Sequence, residues 1–357
     1  MSHRRLGAAL IAACVVLPLA VPAAASAGTS SRDVKVMARN LYLGADLIPL
    51  AAPGLTREQF EQNAAGRFQT VLKNDFNARA KALAREIRRA KPDLIGVQEA
   101  ARWLRGPDGV KDGTATPATQ VVYDSTDVLL RELRSLGQPY RVVRARDWFD
   151  YEAPTALNYD VRLVQRDVIL IREGSKVRVG RTFARGFRDT FDPPTVVGVA
   201  RQNRGYVGVD ARLGNRRFRF VTTHLEAYSP EIADKQMKQL LRNDLASKRR
   251  QSILVGDFNS DPKSAGGDER GAERTPNAYR SVLDAGFFNP LPRRETCCFG
   301  EDLHSLTEKL DSWIDHIVVR PRVRVVRSSI LGSRSSERVG GLWPSDHAGI
   351  AATLRLK

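Results

Sequence analysis

The stretch ILVGDFNSDP, Ile253 to Pro262, decides the fold. An apolar run enters Gly256, and two carboxylates and an amide then surround a phenylalanine. Read as a buried strand, the run ends in polar groups that are costly unless paired, hydrogen-bonded or bound to metal. On an extended strand Asp257 and Asn259, two apart, share one face while Phe258 turns into packing. Asp261, just before Pro262, reads as the start of a turn.

The same design recurs along the chain. MARN ends in Asn40, LIGVQE in Glu99 and FVTTH in His224, while WIDH carries Asp315 and WPSDH carries Asp346 and His347. Each residue alone has an ordinary structural explanation as a turn former, an exposed strand end or a hydrogen-bonded core histidine. Together they suggest strand ends that meet at one edge of packed sheets. Their oxygens would form a hard-ligand cluster suited to magnesium, with manganese or calcium possible, and the two histidines could transfer protons or contact phosphate.

The surrounding pattern supplies the sheets. Asp33 to Asn40 reads as a first strand. Phe76, Ala80, Leu83 and Ile87 mark one helix face, ended by Pro92 before the strand DLIGVQ. A helix bearing Val128, Leu129, Leu133 and Leu136 precedes YRVVRA. RDVILIR, VRVGRTF and GYVGVDARL follow, and Gly214 with Asn215 turns the last into RRFRFVTTHL as a hairpin. Ile232 to Leu245 suits a helix, as does Pro276 to Ala285, and SWIDHIVV, VRVVRSSI and IAATLRL are strands again. Many strands with tight turns and helices only at intervals fit a purely parallel doubly wound sheet badly and a mixed sheet system with helices outside better. No short repeat recurs. The polar stretches Arg105 to Thr119 and Asp261 to Pro276 read as surface loops, because strand pattern resumes after each.

Composition narrows the class. The opening residues MSHRRLGAALIAACVVLPLAVPAAASAGTSS place Arg4 and Arg5 before an apolar run and small residues at Ala25 to Ala27, the layout of a secretory signal peptide cleaved after Ala27. Pro18 and Pro22 interrupt that run, and nothing later reaches a membrane-spanning length, so no transmembrane anchor is expected. Residues 28–357 are then expected to form a single domain of a secreted protein. The net charge is +17, and removing Arg4 and Arg5 leaves 17 − 2 = +15, which favours anionic partners. Beyond the leader only Cys297 and Cys298 remain. Their adjacency would strain a disulfide between them, yet the oxidising surroundings of an exported protein make that vicinal bond preferred over two free thiols, with too few ligands around the pair for zinc.

In order and context the segments RNLYLGADL, DLIGVQEA, VTTHLEA, LVGDFNSDP, SWIDHIVV and PSDHAGI resemble the endonuclease/exonuclease/phosphatase superfamily, from Arg39 to Ile350. The resemblance implies an α+β fold, a four-layer α/β/β/α sandwich of two mixed, mainly antiparallel sheets with outer helices and the active site at one rim. It also implies metal-dependent hydrolysis of a phosphoester. Carried onto this chain, Glu99 with Asn40 would hold Mg2+, supported by Asp346. His347 would be the general base held by Asp315, His224 and Asn259 would donate to phosphoryl oxygens, and Asp257 would orient the nucleophile or assist the leaving group. Asp46 reads as a cap, and the residue that relatives place on a central strand could be Asp167 or Tyr159.

Two substrates fit. Export, basicity and Arg-rich strands suit DNA held through its phosphates with little sequence specificity. A phospholipase C acting on sphingomyelin or another phospholipid is the alternative, with Trp148, Phe149, Phe299 and Trp343 as candidate contacts to a phospholipid surface. A non-catalytic nucleic-acid-binding protein is the third reading, disfavoured because no motif segment lacks its acid, amide or histidine.

Overall fold

Alternation along three strands shows how the layers stack. In β1 (Asp33–Asn40) Val34, Val36 and Ala38 face one core while Met37 faces another. In β12 (Gln251–Asp257) Ile253 and Val255 enter the first of these cores and Leu254 a third. In β13 (Asp315–Arg320) Ile317 and Val319 do the same opposite Val318. A strand with apolar residues on both faces must be covered on both, so two sheets lie face to face with helices outside.

The computed structural model describes Met1 and residues 32–108, 117–263, 275–321 and 323–357. Contacts divide the chain into residues 1–30 and 31–357, and the sandwich is built entirely by the second unit. The signal peptide expected from the sequence, with its cleavage after Ala27, lies outside the described residues. Among those described, no helix is long and apolar enough to cross a membrane.

The remaining elements are α1 (Arg57–Lys73), α2 (Phe76–Ala90), β2 (Leu94–Gln98), β3 (Arg102–Gly106), β4 (Gln120–Asp124), α3 (Ser125–Ser135), β5 (Tyr140–Ala153), β6 (Asp160–Arg172) and β7 (Val177–Gly186). They continue with β8 (Pro194–Thr195), β9 (Gly198–Val199), β10 (Gly205–Leu213), β11 (Arg216–His224), α4 (Pro230–Asn243), α5 (Asn277–Asp284), β14 (Arg324–Leu331) and β15 (Gly349–Arg355). One sheet runs β14-β15-β1-β2-β6-β3-β4 with β5 paired to β6, and the other runs β13-β12-β11-β10-β7. Among the described residues only β1 with β2 and β11 with β12 pair parallel, so both sheets are mixed and mainly antiparallel. Helices α1, α2 and α3 cover the first sheet, and α4 and α5 the second.

The two parallel pairs position the site. Asn40 stands beside Gln98 at the ends of β1 and β2, and His224 stands beside Asp257 at the ends of β11 and β12. Asp315 opens β13 directly across from Asp257. Two glycines permit the close approach this needs. A Cβ on Gly96 would sit 2.4 Å from Thr222 Oγ1 of the facing sheet, and one on Gly256 would sit 2.0 Å from the Thr223 carbonyl oxygen.

Several local expectations are corrected. The loop expected from Arg105 begins after Gly106, because Arg105 and Gly106 pair with β6, and residues 109–116 lie outside the description. Of the loop expected from Asp261, residues 264–274 also lie outside it. Asp261 does more than start a turn. It accepts from the Lys263 N–H, binds Arg293 through both oxygens and accepts from the Trp313 N–H, which ties the segment before β13 to the end of β12.

Candidate active site

The rim where these strands end gathers the acids, amides and histidines of all six motif segments. Nδ1 of His347 lies 2.8 Å from Oδ2 of Asp315, which fixes the ring and leaves Nε2 facing the cleft. Around Nε2 stand Asp257 Oδ2 at 3.7 Å, Asp346 Oδ1 at 4.0 Å and Asn40 Nδ2 at 3.5 Å. Across the cleft His224 Nε2 lies 3.6 Å from Asp257 Oδ2 and 4.0 Å from Glu99 Oε1. All but Glu99 are buried, and Glu99 is half-buried.

Backbone contacts brace this arrangement. Buried Arg39 pairs with Glu86 and donates from Nη1 to the His347 carbonyl at 2.5 Å, so a buried ion pair holds the loop that carries His347. Thr296 Oγ1 accepts from the Ile314 and Asp315 N–H groups, and the Thr296 carbonyl accepts from the Ala348 N–H. Buried Arg79 donates to the carbonyls of Leu41, Tyr42 and Pro344, fixing the loop after β1 against the one before Asp346. Tyr42, Glu99 and Asn259 all adopt positive φ, at 61°, 52° and 46°. Such backbone is uncommon for non-glycine residues and clusters at functional sites.

Asn259 thus departs from the extended geometry expected of it. The strand ends at Asp257, and the left-handed turn brings Asn259 back to the cleft, where its N–H donates to Asp257 Oδ1 and its Nδ2 to the Leu225 carbonyl. Asn40 is oriented by a similar constraint. Its Oδ1 accepts from the Tyr42 N–H, so its amide nitrogen faces outward and donates to both Glu99 Oε1 and Asp257 Oδ2. In this geometry Asn40 aligns two carboxylates rather than presenting an oxygen to a cation. Asp46 is not the cap expected of it: the 3-10 turn Ile48–Ala51 has Leu47 at its N-cap with no side-chain cap bond, and Asp46, which accepts from the Ile48 N–H two residues on, lines the cleft.

Charge is unevenly distributed around the cleft. Burial raises the Glu99 and Asp257 carboxyls above the usual range, with Asp346 adding to the effect at Glu99. At His347 burial opposes the imidazolium, yet Asp315, Asp346 and Asp257 outweigh it and raise its pKa to about 10. His224 is pushed well below the usual value, first by burial and then by Arg204, which keeps it neutral. Glu99, Asp257 and Asp346 line the same cleft, and carboxylate oxygens are the donor type that a hard divalent cation takes.

Sequence reasoning missed three cleft residues. Buried Arg204 lines the cleft and is held by Glu226, whose second oxygen accepts from the Ala227 and Tyr228 N–H groups. An arginine in so arginine-rich a chain carries no distinguishing signal, although Glu226 does follow directly in THLEA. Cys297 and Cys298 also line the cleft. Of the two candidates for the central-strand residue, Asp167 is buried on β6, accepts from Trp148 Nε1 and lies outside the cleft lining, while Tyr159 packs on Phe68. The aromatics proposed for lipid contact do not protrude. Phe149 is buried, Trp148 is half-buried, and Phe299 and Trp343 stack with centroids 3.9 Å apart.

Two facing mixed sheets with a rim of carboxylates, amides and histidines define the metal-dependent phosphoesterase type of fold. The chain belongs to the endonuclease/exonuclease/phosphatase family, whose sequence profile matches residues 63–347. Among solved structures it is similar to an endonuclease/exonuclease/phosphatase from Beutenbergia cavernae, at 17% identity over 91% of this chain and 72% of that one, with a TM-score of 0.56. A family protein from Leptotrichia buccalis is 15% identical over 91% of this chain and 99% of that one, with a TM-score of 0.54. A mannosyl-6-phosphatase from Bacteroides thetaiotaomicron is 16% identical over 90% and 99%, with a TM-score of 0.50. These likenesses establish the fold alone. No curated protein matches the sequence.

Proposed function

We propose that the protein is an exported, divalent-metal-dependent phosphodiester hydrolase. The observation that carries this reading is the His347–Asp315 pair at 2.8 Å, with Nε2 aimed into a cleft lined by Glu99, Asp257, Asn259, His224 and Asp346. An imidazole whose other nitrogen is fixed by a carboxylate presents one directed lone pair, which is what a general base for water requires. Bound by Glu99 with Asp346, Mg2+ would polarise a phosphoryl oxygen and offset the carboxylates that now bias His347 towards its cation.

The chain's own groups divide the remaining work. His347 accepts the proton of water at Nε2, and Asp315 stabilises the resulting imidazolium. Neutral His224, the second amide hydrogen of Asn259 and the Arg204 guanidinium donate to phosphoryl oxygens as their charge grows. Asp257, raised by burial, can hold a proton and pass it to the leaving oxygen. Asn40 keeps Glu99 and Asp257 in register for both tasks.

DNA is the first substrate reading, supported by the net charge of +17 and by Arg204 in the cleft. A phospholipid is the second, and one specific observation favours it. The cleft wall beyond Glu99 is formed by Leu43, Leu47, Ile48, Leu50, Phe149 and Tyr151, an apolar surface that a polynucleotide backbone would not fill. The deciding experiment incubates the protein with plasmid DNA and, separately, with sphingomyelin or phosphatidylcholine vesicles, in Mg2+ or EDTA, beside His347→Ala. Chelator-sensitive nicking that the variant lacks supports DNA hydrolysis, and headgroup release without nicking supports the phospholipid. Retention of DNA with no turnover of either would refute the catalytic reading.

A further inference from the structure

The two cysteines expected to lack company are instead among the nearest neighbours of the base. Cys297 Sγ lies 3.5 Å and Cys298 Sγ 3.9 Å from His347 Nε2, on the side of the ring that faces the cleft. One sulfur atom of each, together with Nε2, falls within 4.8 Å of the others. The segment that carries them is held from both sides. The Cys297 carbonyl accepts from the Asp311 and Ser312 N–H groups, the Cys297 N–H donates to the Ser312 carbonyl, and the Phe299 N–H donates to the Asp346 carbonyl. The sulfurs are therefore fixed on the wall of the site. In the structure they are joined to each other as a disulfide.

We propose that, once reduced, Cys297 and Cys298 join His347 Nε2 in a three-donor site for a soft divalent cation such as Zn2+, and that its occupation stops hydrolysis. Two sulfurs and an imidazole nitrogen suit Zn2+, whereas the carboxylates of Glu99, Asp257 and Asp346 suit Mg2+. The two sites thus differ in donor softness while competing for the same cleft. Coordination would occupy the lone pair on Nε2 that must accept the proton of water. Oxidation removes the site, because sulfurs bonded to each other are no longer thiolates.

Two electrons and two protons from a phosphine reductant and water open the sulfur–sulfur bond to two thiols, and the phosphine leaves as its oxide. Capture of Zn2+ by both sulfurs then releases the two thiol protons. The inhibition arm rests on the reading of His347 as base, and the binding arm does not.

The full protein, reduced with a phosphine and freed of it, is titrated with Cd2+ as a spectroscopic probe and with Zn2+ as inhibitor in the presence of Mg2+. Reduced protein is expected to take one Cd2+ per chain with a thiolate-to-metal absorption band. Its turnover should fall at least about tenfold at one equivalent of Zn2+. Oxidised protein and the Cys297→Ser/Cys298→Ser double variant should show neither effect, each judged against its own zinc-free rate. His347→Ala should keep the band but weaken Cd2+ binding at least about tenfold, which tests the third ligand without turnover. The proposal is overturned if reduced protein gives no band, if His347→Ala binds Cd2+ as tightly as the parent, or if Zn2+ inhibits the double variant equally. Failure of all arms to hydrolyse any phosphodiester would refute the catalytic reading and leave the Cd2+ result to decide the site.

Discussion

His347 Nδ1 and Asp315 Oδ2 meet at 2.8 Å although they come from different sheets, His347 from the loop before β15 and Asp315 from the first position of β13. The contact spans the sandwich at its rim, so the dyad depends on correct packing of the two sheets. Asp315→Asn keeps shape and volume but can hold the wrong tautomer. Turnover at saturating substrate is expected to fall by about 10²–10⁴, with KM nearly unchanged. Steady-state kinetics beside circular dichroism checks this, and a rise in KM alone would assign Asp315 to substrate binding.

The carboxylates around the cleft predict a specific response to metal. Removing divalent ions with EDTA should abolish turnover, and Mg2+ should restore it. Mg2+ should also raise the melting temperature of the parent, since a ligand that binds only the folded chain stabilises it. Glu99→Gln removes one charge while keeping the side chain's size. It is expected to raise the Mg2+ concentration for half-maximal stabilisation at least about tenfold. An unchanged titration in that variant would place the cation elsewhere.

How much of the fold and site is legible in sequence depends on the kind of signal each residue carries. The dyad and its neighbours can be found because each ends a strand whose alternation is strong, as in Ile253 to Asp257. Helix α1 escapes notice because its inward residues Phe60, Ala64, Phe68 and Val71 are interrupted by few contrasting charges. Its start is nonetheless written in Thr56 and Gln59, which form a capping box. Arg204 and the cysteines are invisible as site residues for another reason. Their roles arise from proximity across the fold, and neither periodicity nor spacing encodes that. The turn at Asn259 eludes the strand reading because alternation does not continue two residues past the last ladder pair.

His316, beside Asp315 in sequence, faces the opposite side of β13 among Phe258, Tyr279 and Trp313. Its Nε2 is placed to donate to the Ser260 carbonyl and its Nδ1 to accept from Asn289, which suits a neutral ring. Burial lowers its pKa from 6.5 to about 4. Between these values the unfolded chain binds a proton that the folded one does not, so stability is full above pH ~6.5 and declines towards pH ~4. The loss attributable to this group is about 3 kcal/mol. Urea unfolding at pH 7 and pH 4.5 should show His316→Gln less stable than the parent at pH 7 but with a smaller decline. Equal declines would show that other groups set the acid limb.

At Gly256 the central strand meets the site. Its φ of 138° lies outside the range of L side chains, and an added Cβ would sit 2.0 Å from the Thr223 carbonyl oxygen. Backbone cannot swing aside as a side-chain tip can, so β11 and β12 would have to separate where His224 and Asp257 stand side by side. Gly256→Ala should therefore cost about 3 kcal/mol or more, and it should depress turnover beyond the loss of folded protein because His224 and Asp257 move apart. Gly214 provides the control. It has a φ of 61° in the β10–β11 hairpin, and nothing lies within 4 Å of its Cβ position. Gly214→Ala should cost only about 1–2 kcal/mol and leave turnover per folded molecule unchanged. Urea midpoints and active-site-normalised rates for the two variants separate strain from crowding, and equal effects at both positions would refute the close approach assigned to Gly256.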